Sequence, residues 1–353
     1  MIKENGMERI VQLCRDVVAH TDPKMKWMWG EALFGYALSQ LDEFYGTDEF
    51  TPFLTAYCDY WATHAPAIDY ADRAAPALVT YAMQKKTSNP AYAALTNRVL
   101  AYIRHEPRLI SDAVNHLGKS PEGKFYPKSI WVDSLMMFSV FPAQYAAETG
   151  DNELLNFAAR QPRIYSRYMQ NRQNNLWYHS YWVKAGRHHP KGPVFWGRGN
   201  GWVVCALPMI MDEIGEAHPE FGGMKTIFQN TVQAVTALQQ GDGGFRTILN
   251  KSSYEETSTT ALIAAGILHG VAKGYLDTGY KQAGLQAFNA VLNQLTTGKD
   301  GLRLANISAP TIPMHVLPGL CYRLTPRGYN WSYGLAAAVF AGLWQAKCSR
   351  MAG

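Results

Sequence analysis

The sequence predicts an all-α fold in which helical hairpins close into an (α/α)6 ring, and three observations favour it. Apolar residues recur at i, i+3 and i+4 spacing through most of the chain, as in Ala32, Leu33, Tyr36 and Ala37, whereas alternating runs typical of strands are scarce. Similar polar turns recur along the chain, and longer loops rich in glycine and aromatic residues lie between them. Repeated hairpins can stack as an open solenoid or close into a ring, and closure is favoured because it buries both ends.

The polar turns can each end one helix and begin the next. They occupy residues 44–50, 85–92, 147–154, 215–221 and 276–282. Their Thr, Gly, Asp and Asn residues supply a C-terminal stop followed by an N-cap. The turns therefore separate six hairpins, and since no linker interrupts them, residues 1–353 are predicted to form a single domain.

The longer connections cover residues 107–131, 171–202, 241–256 and 301–332. Loops held by a rigid scaffold often carry function. We expect these connections to form one rim that lines a pocket over one end of the ring.

Composition and charge argue against several classes of protein. Hydrophobic residues make up 47% of the chain and charged residues only 17%, so a large share of side chains must be buried. The net charge is +5 and no run of Lys and Arg is interleaved with aromatic residues, so no nucleic-acid partner is expected. The longest apolar runs, 135–141 and 334–344, are shorter than the roughly 20 residues that cross a bilayer, so no membrane span is expected.

The cysteines and the N-terminal segment bear on the compartment. The five cysteines are widely spaced, odd in number and form no CxxC motif, which indicates reduced thiols and argues against zinc bound through sulfur. The segment MIKENGMERIVQLCRDVVAH lacks the continuous apolar stretch of a signal peptide. The sequence therefore predicts a soluble, cytoplasmic protein.

Asp133 lies in FYPKSIWVDSLMMF, directly before an apolar helix. Its ordinary role there would be an N-cap that accepts backbone N–H bonds. Tyr126 and Trp131 favour a second role, because large apolar rings desolvate a carboxyl group and are expected to raise its pKa. A carboxyl group that keeps its proton near neutral pH can act as a general acid.

A second carboxylate, Asp72 or Asp69, precedes another helix in AIDYADRAAPAL, where capping is again the ordinary explanation. The residues alone do not decide between the two. If either shares the pocket with Asp133, two carboxylates face one site, which is the arrangement that glycoside hydrolysis usually requires.

The stretch VFWGRGNGWVVCAL, residues 194–207, places Trp196, Arg198 and Trp202 among three glycines before a helix. One interpretation is a glycine-rich turn with two buried tryptophans. The other is a site for an acidic sugar, because Trp faces stack on sugar rings, Arg forms bidentate pairs with carboxylates and Gly lets the backbone approach closely.

Histidines in the long connections are further candidates. His116 and His179 each lie in one of them, although a single loop histidine is more often structural than catalytic. His188 and His189 are adjacent but have no carboxylate ligand in a suitable pattern. Neither a metal site nor a cofactor is predicted.

These segments together resemble the unsaturated rhamnogalacturonyl hydrolases of glycoside hydrolase family 105 and, more distantly, the unsaturated glucuronyl hydrolases. The similarity spans nearly the whole chain. YPKSIWVDSLMM is similar to the family's Y-P-x-x-x-W-[LV]-D segment and places Asp133 at the catalytic aspartate. DRAAPAL aligns with a segment that holds a second important aspartate, and the spacing favours Asp72 over Asp69.

The resemblance also implies substrate-binding residues. FWGRGNGW is similar to the family's F-W-x-R-x-x-G-W loop, and two histidines match family pocket histidines, one of them after an insertion. An aromatic residue in KWMWGEAL stands where the family has one near the substrate. The implied set is Trp29, His116, His179, Trp196, Arg198 and Trp202.

Two departures from the family pattern concern the substrate. The run 179–182, HSYW, stands where many members read H-G-W-D, and Lys128 replaces a residue that is often Asn. They leave open the leaving sugar and its parent polysaccharide, which could be the rhamnogalacturonan of pectin, ulvan or another uronate-containing polymer.

The resemblance implies a hydrolase that removes a 4,5-unsaturated uronic acid from the non-reducing end of lyase-generated oligosaccharides. Asp133 would protonate C4 and then activate water to add at C5, after which the hemiketal would open and expel the neighbouring sugar. Asp72 would orient water or substrate. Two alternatives stay open: an inverting exo-glycosidase that uses Asp72 and Asp133 as separate acid and base, and a non-catalytic oligosaccharide-binding protein that would not need Asp133.

Overall fold

Most of the chain is helical, and the computed structural model describes residues 6–350. The two ends of the predicted 1–353 domain, residues 1–5 and 351–353, lie outside the described part. The helices are α1 (Gly6–Ala19), α2 (Trp29–Tyr45), α3 (Thr51–Thr63), α4 (Ala77–Thr87), α5 (Pro90–His105), α6 (Val140–Thr149), α7 (Asn152–Met169), α8 (Gly197–Ile214), α9 (Phe221–Thr236), α10 (Thr257–Ala272), α11 (Lys281–Leu292), α12 (Pro318–Leu324) and α13 (Ser332–Arg350).

Six of the described helices form a closed inner ring. In order around the ring, α2 contacts α4, then α6, α8, α10 and α13 follow, and α13 returns to α2. An outer helix packs on each of them: α1 on α13, α3 and α5 on α4, α7 on α6, α9 on α8 and α11 on α10. This arrangement confirms the predicted (α/α)6 fold.

The inner helices are buried on nearly all sides, which is why their sequences are rich in small and apolar residues. Every residue of α10 from Thr257 to Gly270 is buried. At Gly266 an added Cβ would collide with the carbonyl group of Val204 on α8, so glycine is needed for the close approach of these two helices.

The predicted polar turns are confirmed, and each joins an inner helix to the next outer helix. Gly46 and Gly150 end α2 and α6 in the left-handed conformation, with φ values of 65° and 73°. Asn89 and Asp151 then cap α5 and α7, because their side chains accept hydrogen bonds from the first-turn N–H groups. These turns therefore form the end of the ring opposite the long connections.

The long connections lead from outer to inner helices at the other end, and they contain the short strands. These are β1 (Arg108–Ile110), β2 (Ala113–Val114), β3 (Ser129–Trp131), β4 (Ser180–Trp182), β5 (Arg187–His189), β6 (Leu295–Gly298), β7 (Gly301–Leu304), β8 (Ile307–Ser308) and β9 (Arg327–Gly328). The antiparallel sheet β3-β4-β5 joins the second and third long connections of the chain's rim. None of the helices within 6–350 combines the length and apolarity needed to span a bilayer.

One predicted boundary is wrong. The connection expected over 171–202 ends at Trp196, because α8 begins at Gly197 and includes the GRGNGW residues. Asn200 holds this helix start in place: its side chain donates to the carbonyl groups of Trp177 and Trp196 and accepts from the Trp177 N–H. Tertiary hydrogen bonds thus outweigh the low helix propensity of the three glycines.

Candidate active site

Asp133 lies at the rim, in the turn between β3 and a π-helical segment, Leu135–Ser139. Such π turns within helices are frequent at functional sites. The carboxylate does not cap this helix, since no side-chain cap bond is formed at its start. Instead Oδ2 of Asp133 faces Nε2 of His179 at 3.4 Å.

This pair has unused hydrogen-bonding capacity. Neither Asp133 Oδ2 nor His179 Nε2 has a well-aligned hydrogen bond to a described residue, although both atoms are buried. The Asp133 side chain as a whole keeps 13% of its surface exposed, whereas that of His179 is fully buried. Because buried polar atoms are almost always satisfied, an unpaired set at a solvent-reached site is available to a ligand.

The pKa of Asp133 corrects one expectation from the sequence. Burial does act to raise it, but the interaction with His179 and the charge of His116 outweigh burial, and the pKa lies below its ordinary value. The neighbouring rings were visible in the sequence, whereas the two histidines reach Asp133 only through the fold. In the free protein Asp133 is therefore a carboxylate at neutral pH.

Asp72 forms a second aspartate–histidine pair. It lies in the short 3-10 turn Ala71–Arg73 before α4, and its Oδ1 is 3.3 Å from Nε2 of His116. Asp69 points elsewhere and pairs with Arg73 at 3.1 Å. The structure thus brings Asp72, rather than Asp69, to the histidine cluster, and the Asp72 side chain keeps 16% of its surface exposed.

The two histidines differ in their protonation. Burial acts to lower the pKa of His116, but the charges of Asp72 and Asp133 outweigh it and the pKa is raised. Burial also lowers the pKa of His179, and there the attraction of Asp133 is too weak to restore the ordinary value. His116 is the more readily protonated of the two.

Trp131 lies between the two pairs and connects them. Its ring stacks on His116 with centroids 4.6 Å apart and meets His179 edge-on at 5.1 Å. The backbone fixes this arrangement, because Trp131 pairs with Ser180 across β3 and β4 and the His116 N–H donates to the Ser129 carbonyl group. The strand β3 therefore brings histidines from two distant connections to one site.

Arg198 and Trp196 form part of the wall rather than an open sugar platform. Arg198 is 1% exposed, and its two Nη atoms donate to the carbonyl groups of Ser308 and Ala309 and to the hydroxyl groups of Ser308 and Thr311. Trp196 stacks on His179 at 4.1 Å and also contacts the Arg198 guanidinium. The expected bidentate pair between Arg198 and a uronate is wrong in this arrangement, since the 308–311 segment already occupies the guanidinium fork.

Trp202 and the glycines also pack against protein. Trp202 is buried and meets Trp29 edge-on at 5.9 Å. An added Cβ at Gly201 would press on Leu262, so this glycine allows α8 to approach α10 rather than a substrate. Trp29 differs, because it keeps exposed surface while it stacks on Tyr333 at 4.6 Å. It is the tryptophan of this group that a sugar ring can reach.

The family model for Glycosyl Hydrolase Family 88 matches residues 1–348. The chain belongs to this family. It is therefore a glycoside hydrolase, which confirms the predicted class of enzyme and leaves a merely sugar-binding protein unsupported.

Named sequence relatives of this family 88 protein agree with the resemblance drawn from its motifs. The unsaturated rhamnogalacturonyl hydrolase YesR of Bacillus subtilis (strain 168) is 28% identical over 269 residues, which cover 75% of this chain and 74% of the relative. An unsaturated 3S-rhamnoglycuronyl hydrolase of Alteromonas sp. (strain LOR) is 29% identical over 179 residues, which cover 50% of this chain and 43% of the relative.

Solved structures support the fold of the family 88 chain. A family 105 glycoside hydrolase of C. acetobutylicum ATCC 824 superposes with a TM-score of 0.87 at 20% identity, covering 97% of this chain and 99% of that one. The unsaturated glucuronyl hydrolase of Bacillus sp. GL1 superposes with a TM-score of 0.74 at 16% identity, covering 96% of each chain. Both predicted groups of relatives are thus confirmed.

One residue of the family 88 site was not predicted. Tyr322 is fully buried, and its hydroxyl group lies 2.8 Å from Nδ1 of His179. The connection 301–332 was expected at the rim, but no motif singles out this tyrosine. Within residues 6–350 no group of three or more His, Cys, Asp or Glu side chains is arranged to hold a metal ion.

Proposed function

We propose that this family 88 hydrolase removes a 4,5-unsaturated uronic acid from the non-reducing end of lyase-generated oligosaccharides. The observation that carries the proposal is the Asp133–His179 pair, whose facing atoms lie 3.4 Å apart without aligned hydrogen bonds at a partly exposed rim. Relatives named as unsaturated rhamnogalacturonyl and unsaturated 3S-rhamnoglycuronyl hydrolases support the same substrate class.

The proposed reaction hydrates the C4=C5 double bond and consumes one water. Asp133 donates its proton to C4, and the enol-ether oxygen stabilises the positive charge that develops at C5. Water adds to C5 and returns a proton to the Asp133 carboxylate. The resulting hemiketal opens to a C5 ketone, and the hemiacetal left at C1 releases the neighbouring sugar.

Asp133 must first gain a proton, because its pKa in the free protein is lowered. The uronate of the substrate brings a negative charge to the site, and a like charge raises the pKa of a nearby carboxyl group. Substrate binding and proton uptake would then be coupled. The value of kcat/KM should accordingly fall as the pH rises above neutral.

Other side chains have supporting roles in this proposal. The Asp72–His116 pair would orient water or substrate on the far side of Trp131, with which His116 stacks. Trp29 would contact a sugar ring with its exposed surface. Trp196, Arg198 and Trp202 would bind substrate through the shape of the wall they form, since their own polar and aromatic groups are largely engaged within the protein.

The finer assignment is an unsaturated rhamnogalacturonyl substrate, in keeping with the name of the Bacillus subtilis relative. We further propose that the enzyme acts in the cytoplasm on short oligosaccharides. All five cysteines are free thiols, four of them buried, which suits a reducing compartment.

A panel of lyase-generated disaccharides, each assayed beside its saturated counterpart, tests this function. We expect loss of the ultraviolet absorbance of the conjugated double bond and release of the reducing-end sugar, with no product from the saturated compounds. Asp133→Asn serves as the inactive control. Cleavage of saturated and unsaturated disaccharides at similar rates would instead indicate an ordinary exo-glycosidase, with Asp72 and Asp133 as acid and base.

A further inference from the structure

Residues 309–331, the rim segment, connect β8 to α13 and contain α12. Their outer surface is apolar and exposed, with Val316, Leu317 and Leu324 each more than 60% exposed. Tyr322 is the exception on α12, because its side chain is fully buried. The rim segment thus inserts a single aromatic side chain into the site.

The contacts of Tyr322 are specific. Its hydroxyl group is 2.8 Å from Nδ1 of His179, and its ring lies parallel to Trp196 with centroids 6.0 Å apart. Tyr254 donates to the carbonyl groups of Tyr322 and Thr325, which fixes the C-terminal end of α12 without contacting His179. The Tyr322 hydroxyl therefore has one described partner, the histidine that faces Asp133.

The direction of this hydrogen bond decides the tautomer of His179. Burial raises the pKa of Tyr322 well above its ordinary value, so the hydroxyl keeps its proton and can donate it. Nδ1 of His179 then accepts, and the ring proton of neutral His179 lies on Nε2, which faces Asp133. The opposite tautomer would turn a lone pair toward the carboxylate and would leave the two groups repelling each other.

We infer that Tyr322 is a positioning residue of the reaction: its hydroxyl holds His179 as the Nε2–H tautomer, directed at Asp133 Oδ2. The inference rests on the proposed function of Asp133. It assigns a chemical role to the rim segment, because the tautomer depends on the position of α12. The charged and titratable groups that act on His179 are Asp133, Tyr322, His116 and Arg198, and His189 acts from β5.

Tyr322→Phe tests the inference, since it removes the hydroxyl group and keeps the ring beside Trp196. Loss of one hydrogen bond of ordinary strength predicts a kcat about tenfold lower, with KM changed by less than twofold because Tyr322 acts through His179. A donor to the bare nitrogen favours neutral imidazole, so its removal should raise the His179 pKa and shift the acidic limb of kcat/KM to higher pH.

The tautomer itself can be read by long-range proton–nitrogen NMR with labelled histidine, using His179→Gln to assign the signal. We expect a pure Nε2–H pattern for His179 in the parent and a mixture of tautomers in Tyr322→Phe. Tyr254→Phe is the matched control: it loosens the same helix end, and it should leave both the tautomer and the acidic limb unchanged.

An Nδ1–H pattern in the parent would overturn the inference, as would a Tyr322→Phe variant whose tautomer and pH profile match the parent. An equal shift in Tyr254→Phe would also overturn it, because the effect would then come from the position of α12 alone. The NMR readout needs no turnover. If the disaccharide panel shows no activity, the role of Tyr322 toward His179 is still decided separately.

Discussion

Two aspartate–histidine–tryptophan clusters lie at opposite ends of the inner ring, and their difference shows what distinguishes a site from a structural contact. At the rim, His179 faces Asp133 at 3.4 Å and stacks on Trp196 at 4.1 Å. The residue types alone do not make this cluster a site, because the same three types recur at the other end.

At the far end, about 20 Å along α8, His269 binds Asp212 at 2.9 Å and stacks on Trp344 at 3.6 Å. Asp212 also accepts a hydrogen bond from the Tyr275 hydroxyl group at 2.8 Å and an ion pair from Lys273 at 3.2 Å.

Both clusters are accessible to small molecules, so access does not separate them. Asp212 and His269 line a cavity of about 470 Å³. The pKa values of both aspartates are lowered despite burial, in each case chiefly by the adjacent histidine. What differs is saturation: the Asp212 carboxylate has partners on both oxygens, whereas Asp133 Oδ2 and His179 Nε2 have no aligned hydrogen bond among the described residues. We attribute stability to the first pair and chemistry to the second.

Asp133→Asn should give the largest effect. Removal of a group that both donates and accepts the reacting proton is expected to lower kcat by about 1,000-fold. The free energy of unfolding should change by less than about 1 kcal/mol, because no aligned hydrogen bond to Oδ2 is lost. Activity on an unsaturated disaccharide and urea unfolding of the same preparation check both parts. A variant that kept near-parental kcat would remove Asp133 from the mechanism.

Asp212→Asn should do the reverse. The amide cannot accept from His269, Tyr275 and Lys273 together, so we expect a loss of about 1 to 2 kcal/mol in the free energy of unfolding. At a temperature well below the unfolding transition, kcat should stay within twofold of the parent. Tyr275→Phe removes one of the three partners and should have a smaller effect on urea unfolding. A large loss of kcat in folded Asp212→Asn would contradict the division between the two ends.

Much of the fold could be predicted because its signals are local. Gly46 and Asp151 end and begin helices through their own backbone preferences and short-range hydrogen bonds, and the repeated turns indicated the hairpins. The rim followed from the lengths of the connections. Asp133 and Asp72 could be chosen because each lies in a recognisable segment directly before a helix.

The electrostatics of the site could not be predicted, because they depend on residues far apart in the chain. The pKa of Asp133 is lowered by His179 and His116, which β3 brings to it. Arg198 is closed by Ser308, 110 residues away, and Tyr322 reaches His179 across 143 residues. No periodicity or motif encodes such pairings, and an apolar neighbourhood on its own predicts the wrong direction for the pKa.

The smallest effect concerns the pH dependence of stability, and it separates histidines of the two ends by sign. Burial lowers the pKa of His269 below its value in the unfolded chain, about 6.5, despite the attraction of Asp212. Its neutral form therefore favours folding above that value, and this contribution is lost as the pH falls. The pKa of His116 is raised, so its contribution is present at low pH and is lost as the pH rises through the folded-state pKa.

Replacing either histidine with Gln removes one of these opposing contributions. His269→Gln should flatten the rise of unfolding free energy between pH 5.5 and 7.5, and His116→Gln should steepen it, each by less than about 1 kcal/mol over this interval. Urea unfolding at the two pH values measures the slope directly. Slopes that moved in the same direction would show that the carboxylates do not set the two histidines apart, because only the charges of Asp72 and Asp133 outweigh burial at His116, whereas burial prevails at His269.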